Sequence, residues 1–311
     1  MSLRVAVIGV GYLGRHHARI LSALPGVELV AVVDANRPRA EQIAAAHGTR
    51  ALDDFRDVMG QVDAVTIAVP TEQHGDIALP FLSSGVSVLV EKPMARSLGE
   101  ADAMIAAARQ AGVVFGVGHT ERFNPAVATA RRLLTDPRFI EVHRLGTFPE
   151  RSLDIDVVFD LMIHDLDVVQ SLVQSEVESI DAVGVPVLTG RVDIANARLR
   201  FANGCIANLT ASRISRDRVR RIRFFQPATY LSIDYAAQKV ERWQLLTSPG
   251  GPPAINGGDV EVVNEEPLKL ELADFVDAVA SRRPPAVTGE DGRRALGLAD
   301  AITRQIALAN G

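Results

Sequence analysis

The stretch VLVEKPMA (residues 88–95) sets a charged pair, Glu91 and Lys92, directly after three apolar residues and before Pro93. Charge at the end of an apolar run needs a partner or a task, because an uncompensated charge is costly to bury. Lys92 is then either an exposed strand-end cation paired with Glu91, or a cation held near a reacting oxygen. A second stretch, GVGYLG, spaces Gly9, Gly11 and Gly14 as G-x-G-x-x-G. Gly9 permits a tight turn, Gly11 lets backbone approach a pyrophosphate, and Gly14 allows a helix to pack closely on a strand. The N–H groups that open the following helix offer partial positive charge to phosphates. The loop Gly9, Gly11, Tyr12, Leu13 and Gly14 is therefore the candidate dinucleotide cradle. Asp34 closes the next apolar run, 20 positions after Gly14. A carboxylate there accepts hydrogen bonds from ribose hydroxyls and repels a 2′-phosphate, which favours NAD over NADP. Arg37 and Arg39 nearby soften that preference.

The elements that must position these residues follow from periodicity. LRVAVIGV, VELVAVVD, DAVTIAVP, GVSVLVEK and GVVFGVGH are continuous apolar runs separated by amphipathic helical stretches. Such runs predict a parallel sheet covered on both faces. After about Arg122 the pattern changes. Two helices, near Pro125–Leu134 and Val157–Leu172, precede alternating runs including IDAVGVPV, DIANARLRFA, GCIANLTAS, RIRFFQ and TYLSIDY. A period of two predicts a mainly antiparallel sheet with one solvated or partner-facing side. SPGGPPAINGGD (248–259) reads as an exposed loop, and helical patterns close the chain. The expected fold is α/β, a Rossmann doubly wound parallel sheet over residues 1–122. An α+β domain with an open, mainly antiparallel sheet is expected over 123–311, for substrate binding and oligomerisation.

With this layout the chain resembles the Gfo/Idh/MocA family of oxidoreductases. The resemblance runs through GVGYLGRHHARIL, DAVTIAVPTEQHGDIA, EKP, GHTERFNP and DLMIHDLD, and on into the closing EEPLKLELADFVDAVASRRPPAVTGEDGRRAL. It implies that Pro70, Thr71 and His74 line the nicotinamide ribose and pyrophosphate side. It also implies that Glu91 contacts a ribose or fixes its loop, that Lys92 projects into the active site, and that Arg122 lies near the cofactor. Asp160 and His164 match the family's D-x-x-x-H pair. Many relatives carry a glycine-rich run before that pair, whereas this chain has SLDIDVVFDLMIH, so a different substrate-side wall is expected.

Asp160 and His164 are four apart, so on a helix they share a face. Oxidation of a hydroxyl needs a proton acceptor, and histidine titrates near neutrality. Lysine needs its pKa lowered before it can act as a base. His164 is thus expected to take the proton and Lys92 to stabilise the developing negative charge, with Asp160 orienting either; the two roles could be exchanged. The alternative for His164 is a core histidine capped by Asp165 or Asp167. His16 and His17 read as a solvated helix face, with contact to the cofactor as the alternative for His17.

The second-domain wording, including RFIEVHRLG and DIANARLRFANGCIANLTASRIS, is similar to the branch that includes UDP-N-acetylglucosamine 3-dehydrogenases. Oxidation of a sugar or nucleotide-linked sugar hydroxyl is the activity this implies. The rivals are a cyclitol or free-sugar dehydrogenase, an enzyme that recycles tightly held NAD, and a non-catalytic NAD sensor or scaffold. RISRDRVRRIRFF supplies six arginines, and Arg213 is the one expected to face substrate. A net charge of −5 gives no reason to expect nucleic acid or an anionic membrane as partner. No apolar run reaches membrane-span length, no ligand cluster has metal spacing, and one cysteine, Cys205, fits a reducing compartment. The expectation is a cytoplasmic homodimer or homotetramer without metal.

Overall fold

The computed structural model describes residues 2–148, 155–247 and 252–310. They form two compact units, Met1–Thr120 with Glu266–Leu296, and Glu121–Glu265 with Gly297–Gly311.

The first unit alternates β1 (Leu3–Ile8), α1 (Gly14–Leu21), β2 (Val27–Val33), α2 (Arg37–His47), β3 (Arg50–Leu52), β4 (Ala64–Ile67), α3 (His74–Ser83), β5 (Ser87–Glu91), α4 (Leu98–Ala111) and β6 (Phe115–Gly118). All strand pairs are parallel, in the order β3-β2-β1-β4-β5-β6. The order reverses between β1 and β4, and a ligand crevice opens at the carboxyl ends of strands around such a reversal. The apolar runs are buried because helices cover both faces, as β4 and β5 show along their whole length. Ser97 caps α4 by accepting from Glu100 N, and Gly112 ends it in the left-handed region.

The second unit contains α5 (Pro125–Leu133), β7 (Phe139–Leu145), α6 (Ile163–Val173), β8 (Val177–Val185), β9 (Ile194–Phe201), β10 (Ile206–Ser212), β11 (Val219–Gln226), β12 (Thr229–Asp234), β13 (Lys239–Leu246) and β14 (Ala254–Val260). The sheet order is β14-β13-β12-β11-β7-β10-β9-β8, antiparallel throughout except between β7 and β10. One face is core, with Ile140, Leu199, Phe201, Phe224 and Leu231 fully buried. Two further helices close the chain, α7 (Pro267–Ser281) and α8 (Gly289–Asn310).

Three expectations need correction. The closing residues do not all belong to the second domain, since Glu266–Leu296 joins the first unit. There Leu272 and Phe275 of α7 are buried in one cluster with Val5, Val7, Ala18 and Leu21. The expected loop at 248–259 contains strand β14; Ser248–Gly251 lie outside the described residues. Its glycines hid the period: a side chain at Gly257 would lie 2.1 Å from the Arg242 carbonyl oxygen, so this strand cannot alternate in the usual way. Finally, the expected helix from Val157 opens as a π-helical turn, Val158–Met162, before α6. Such turns are frequent at functional sites.

Candidate active site

In the first unit the glycine loop closes on itself and stays open above. Gly9 has φ +84°, and a Cβ there would meet the Ala68 carbonyl oxygen at 2.6 Å. A Cβ on Gly14 would sit 1.8 Å from the Gly9 carbonyl oxygen, whereas one on Gly11 would meet nothing within 4 Å. Helix α1 begins with no side-chain cap and no acidic residue in its first turn. An uncapped, unopposed N-terminus behind an open glycine is what a pyrophosphate requires. Tyr12 and Leu13 are exposed at this loop.

Asp34 stands just beyond β2 and is buried. It accepts from Val10 N at 2.9 Å and Asn36 N at 2.8 Å, and from Arg39 through Nε at 2.9 Å and Nη2 at 2.7 Å. Burial pushes this carboxyl up, but the Arg39 fork and the two N–H groups outweigh it and hold the pKa below the ordinary value. These residues fit a dinucleotide, whose phosphates would meet the glycine loop and whose adenosine ribose would meet Asp34.

At the end of β5, Lys92 is half-buried and joined to Pro93 by a cis peptide bond. Glu91 is buried; Oε1 lies 3.1 Å from His17 Nε2, and Oε2 accepts from Lys92 N at 3.3 Å. Burial raises the Glu91 carboxyl, yet the contact with His17 brings its pKa below the ordinary value. Of the two roles expected for Glu91, this placement supports fixing the loop. His74 begins α3 with both ring nitrogens against backbone, Nδ1 2.9 Å from the Pro93 carbonyl oxygen and Nε2 3.0 Å from that of Val69. Both ring nitrogens thus face backbone carbonyls, and burial holds the pKa down. Pro70 is exposed and Thr71 half-buried, in the turn between β4 and α3.

In the second unit, half-buried Asp160 lies in the π turn and half-buried His164 in the first turn of α6. The residues flanking His164 are tied down. Asp165 takes Arg144 through Nε at 2.6 Å and Nη2 at 2.9 Å, and Glu121 takes Arg144 Nη1 at 3.1 Å. Asp167 takes the fork of Arg122, with Nε at 2.8 Å. Burial works against the charge on Arg144, but Asp165 and Glu121 raise its pKa well above the ordinary value. Asp165 and Asp167 are thus held by arginines. Arg122, expected beside the cofactor, spends this fork inside its own unit.

Arg213 also departs from expectation. It is 2% exposed, with Nε 2.9 Å from Asp193 Oδ1 and Nη1 2.6 Å from the Ile155 carbonyl oxygen. Its position directly after the apolar strand β10 carries it into the interior, where it braces the turn before β9. Of the other five arginines, Arg223 pairs with Glu141 and Arg221 with Asp234 on the sheet. Cys205 is buried, its thiol pushed up to about 11 by burial. Among the described residues no group of three His, Cys, Asp or Glu is placed to hold a metal ion. Nor does any described helix have the length and apolarity to cross a membrane.

Comparison with known proteins decides the family. Residues 3–119 match the family described as GFO_IDH_MocA, "Oxidoreductase family, NAD-binding Rossmann fold", and residues 130–226 match the "GFO/IDH/MocA C-terminal domain". The chain is 39% identical over 300 residues to UDP-N-acetylglucosamine 3-dehydrogenase of Acidithiobacillus ferrooxidans, covering 96% of this chain and 95% of that one. The chain belongs to the Gfo/Idh/MocA family. A solved structure of that same enzyme superposes with a TM-score of 0.92 at 37% identity, covering 98% of both chains. The scyllo-inositol 2-dehydrogenase (NAD(+)) of Bacillus subtilis is 30% identical over 93% of this chain and 90% of its own.

As a Gfo/Idh/MocA member the protein is an oxidoreductase with an NAD-binding Rossmann domain. Two features of this member escaped the sequence. His17 was expected on a solvated face and is instead 1% exposed against Glu91. The signal was available: Gly14, Ala18 and Leu21 mark the buried face of α1, and His17 lies next to it at i+3 from Gly14. The Arg144–Asp165 pair joins residues 21 apart in different elements, and no local period reveals such a pairing.

Proposed function

We propose that the protein is an NAD-dependent dehydrogenase acting on a nucleotide-linked sugar, oxidising the C3 hydroxyl of UDP-N-acetylglucosamine to a 3-keto sugar. The observation that carries the reading is the full-length likeness to the Acidithiobacillus ferrooxidans 3-dehydrogenase. In this reading His164 accepts the hydroxyl proton, and the Lys92 ammonium stabilises the negative charge that develops on the oxygen. Asp160 orients one of these groups and offsets the positive charge. Bound NAD supplies the hydride acceptor. The forks of Arg144 and Arg122 hold α6 at Asp165 and Asp167, just after His164, so the imidazole rides on a braced element.

NAD is preferred to NADP in this reading because Asp34 stays ionised, and a carboxylate at the adenosine ribose repels a 2′-phosphate. A second copy of the chain covers the outer face of the eight-stranded sheet. Support comes from an apolar row on that face, where Ile206, Phe139, Phe225, Tyr230 and Trp243 lie side by side across five strands. The buried, unreactive thiol of Cys205 suits the cytoplasm.

The test is incubation of the purified protein with NAD and UDP-N-acetylglucosamine while following the reduced-nicotinamide absorbance. A rise supports the proposal; no rise, with a cyclitol or free sugar active instead, overturns the substrate.

A further inference from the structure

Lys92 is held through the residues on either side of it, and both are gripped by buried histidines. Preceding it is Glu91, whose Oε1 lies 3.1 Å from His17 Nε2 on α1. Following it is Pro93, whose carbonyl oxygen lies 2.9 Å from His74 Nδ1 on α3. The other His74 nitrogen reaches the Val69 carbonyl oxygen at 3.0 Å. Each histidine is 1% exposed. We infer that His17 and His74 are positioning residues that set where Lys92 presents its ammonium; the inference rests on the reading of Lys92 as the catalytic cation.

The physical case begins with what a lysine lacks. Its charge sits on a flexible four-carbon stem, so its direction depends on how firmly its own backbone is fixed. The chain fixes that backbone from two independent elements. His17 comes from the helix that follows the glycine loop. Since the Glu91 carboxyl is held below its ordinary pKa, it is the acceptor and His17 Nε2 carries the proton. The second carboxylate oxygen takes Lys92 N itself. Gly118 on the neighbouring strand makes room, since a Cβ there would stand 3.0 Å from the Glu91 carboxylate. His74 stands between the exits of β4 and β5, which are hydrogen-bonded neighbours in the sheet. With its pKa held down the ring carries one N–H, which we place on Nδ1, donating to the Pro93 carbonyl. Apolar residues would fill the same space in both places without fixing a donor direction. Burying an imidazole is costly, and one nitrogen of each ring is turned to a residue that brackets Lys92, His17 Nε2 to Glu91 and His74 Nδ1 to Pro93.

Displacing a reacting group by about 1 Å costs on the order of 10²-fold in rate. His17→Leu and His74→Phe are therefore expected to lower kcat about 10- to 100-fold while the NAD dissociation constant stays within about threefold. Conservative changes separate bracing from mere filling. Glutamine at 17 places an amide nitrogen where Nε2 was and should restore most of kcat. At position 74, asparagine mimics Nδ1 and keeps the Pro93 contact, whereas glutamine mimics Nε2 and keeps the Val69 contact. His74→Asn should thus retain more activity than His74→Gln.

The readout independent of turnover is the acylation rate of the Lys92 amine by an amine-reactive ester, followed by peptide mass spectrometry across pH. A changed profile in His17→Leu and His74→Phe, reverting in His17→Gln and His74→Asn, is expected. Unchanged profiles together with unchanged kcat overturn the inference, as does equal loss in His74→Asn and His74→Gln. Should an apolar variant fail to fold, the Asn/Gln comparison decides alone. If Lys92→Ala keeps full activity, the catalytic reading falls, and the labelling profiles still show whether the histidines set the lysine.

Discussion

Arg39 clasps Asp34 with both arms of its guanidinium, Nε to Oδ2 at 2.9 Å and Nη2 to Oδ1 at 2.7 Å. In the proposed reading this pair sets the cofactor choice: the carboxylate would accept from ribose hydroxyls, and the arginine it holds would attract a 2′-phosphate. Asp34→Asn should weaken NAD binding about 10-fold or more, the loss of a charged hydrogen bond. It should also raise the NADP-to-NAD preference, because the repelling charge is gone and Arg39 is released. Arg39→Ala should leave NAD affinity within about threefold and abolish residual NADP use. Fluorescence titration with each cofactor measures both.

Lys92→Met keeps an unbranched side chain one atom shorter and removes its charge. Turnover should fall about 10²- to 10³-fold, the scale for losing one stabilising donor at a developing oxyanion. For His164→Asn the expected fall is about 10²- to 10⁴-fold, with the acid limb of the kcat/KM profile removed. NAD affinity should change little in either. Steady-state kinetics over a pH series, with NAD titration alongside, separates these outcomes from a binding defect.

Asp193 tests stability in place of catalysis. Fully buried, it accepts from Val187 N, Leu188 N and Thr189 N at 2.8, 2.7 and 2.9 Å, from Thr189 Oγ1 at 2.8 Å and from Arg213 Nε at 2.9 Å. Burial raises its pKa, but these donors outweigh it and hold the carboxyl well below the ordinary value. With the folded pKa depressed, its stabilisation is full above the unfolded value of about 3.9 and is lost as pH falls below it. Asp193→Asn should cost about 3–5 kcal/mol at neutral pH by removing the carboxylate charge paired with the buried Arg213. Urea midpoints should show that gap narrowing below about pH 4.

The outer sheet face predicts assembly. Trp243 is 43% exposed beside Tyr230, which itself packs 5.3 Å from Phe225. Sedimentation velocity should find a dimer or larger at micromolar concentration, and Trp243→Glu with Tyr230→Glu should shift it toward monomer. A wild-type monomer contradicts the covered face.

The parallel sheet was legible because its strands are buried on both sides and read as unbroken valine and isoleucine runs. Asp34 was legible because its spacing from Gly14 follows from how far one helix and one strand carry the chain. β7 was overlooked although FIEVHRL alternates cleanly between half-buried and buried positions, a period-two signal that went unused. β13 and β14 form an edge where few residues are buried, so hydrophobicity marks them weakly. The fate of Arg213 was not legible, because a charge enters a core only when distant partners await it, and Asp193 lies 20 residues away. The histidine braces were hidden for the same reason, since His17 meets Glu91 across 74 residues.

The central claim is that the hydrogen on C3 of a nucleotide-linked sugar leaves to the nicotinamide. UDP-N-acetylglucosamine carrying deuterium at C3 should be incubated with the protein and NAD, and the cofactor analysed by mass spectrometry. Reduced cofactor bearing one deuterium is the predicted result. Reduced cofactor without deuterium, or no reduction of the cofactor at all, would contradict it.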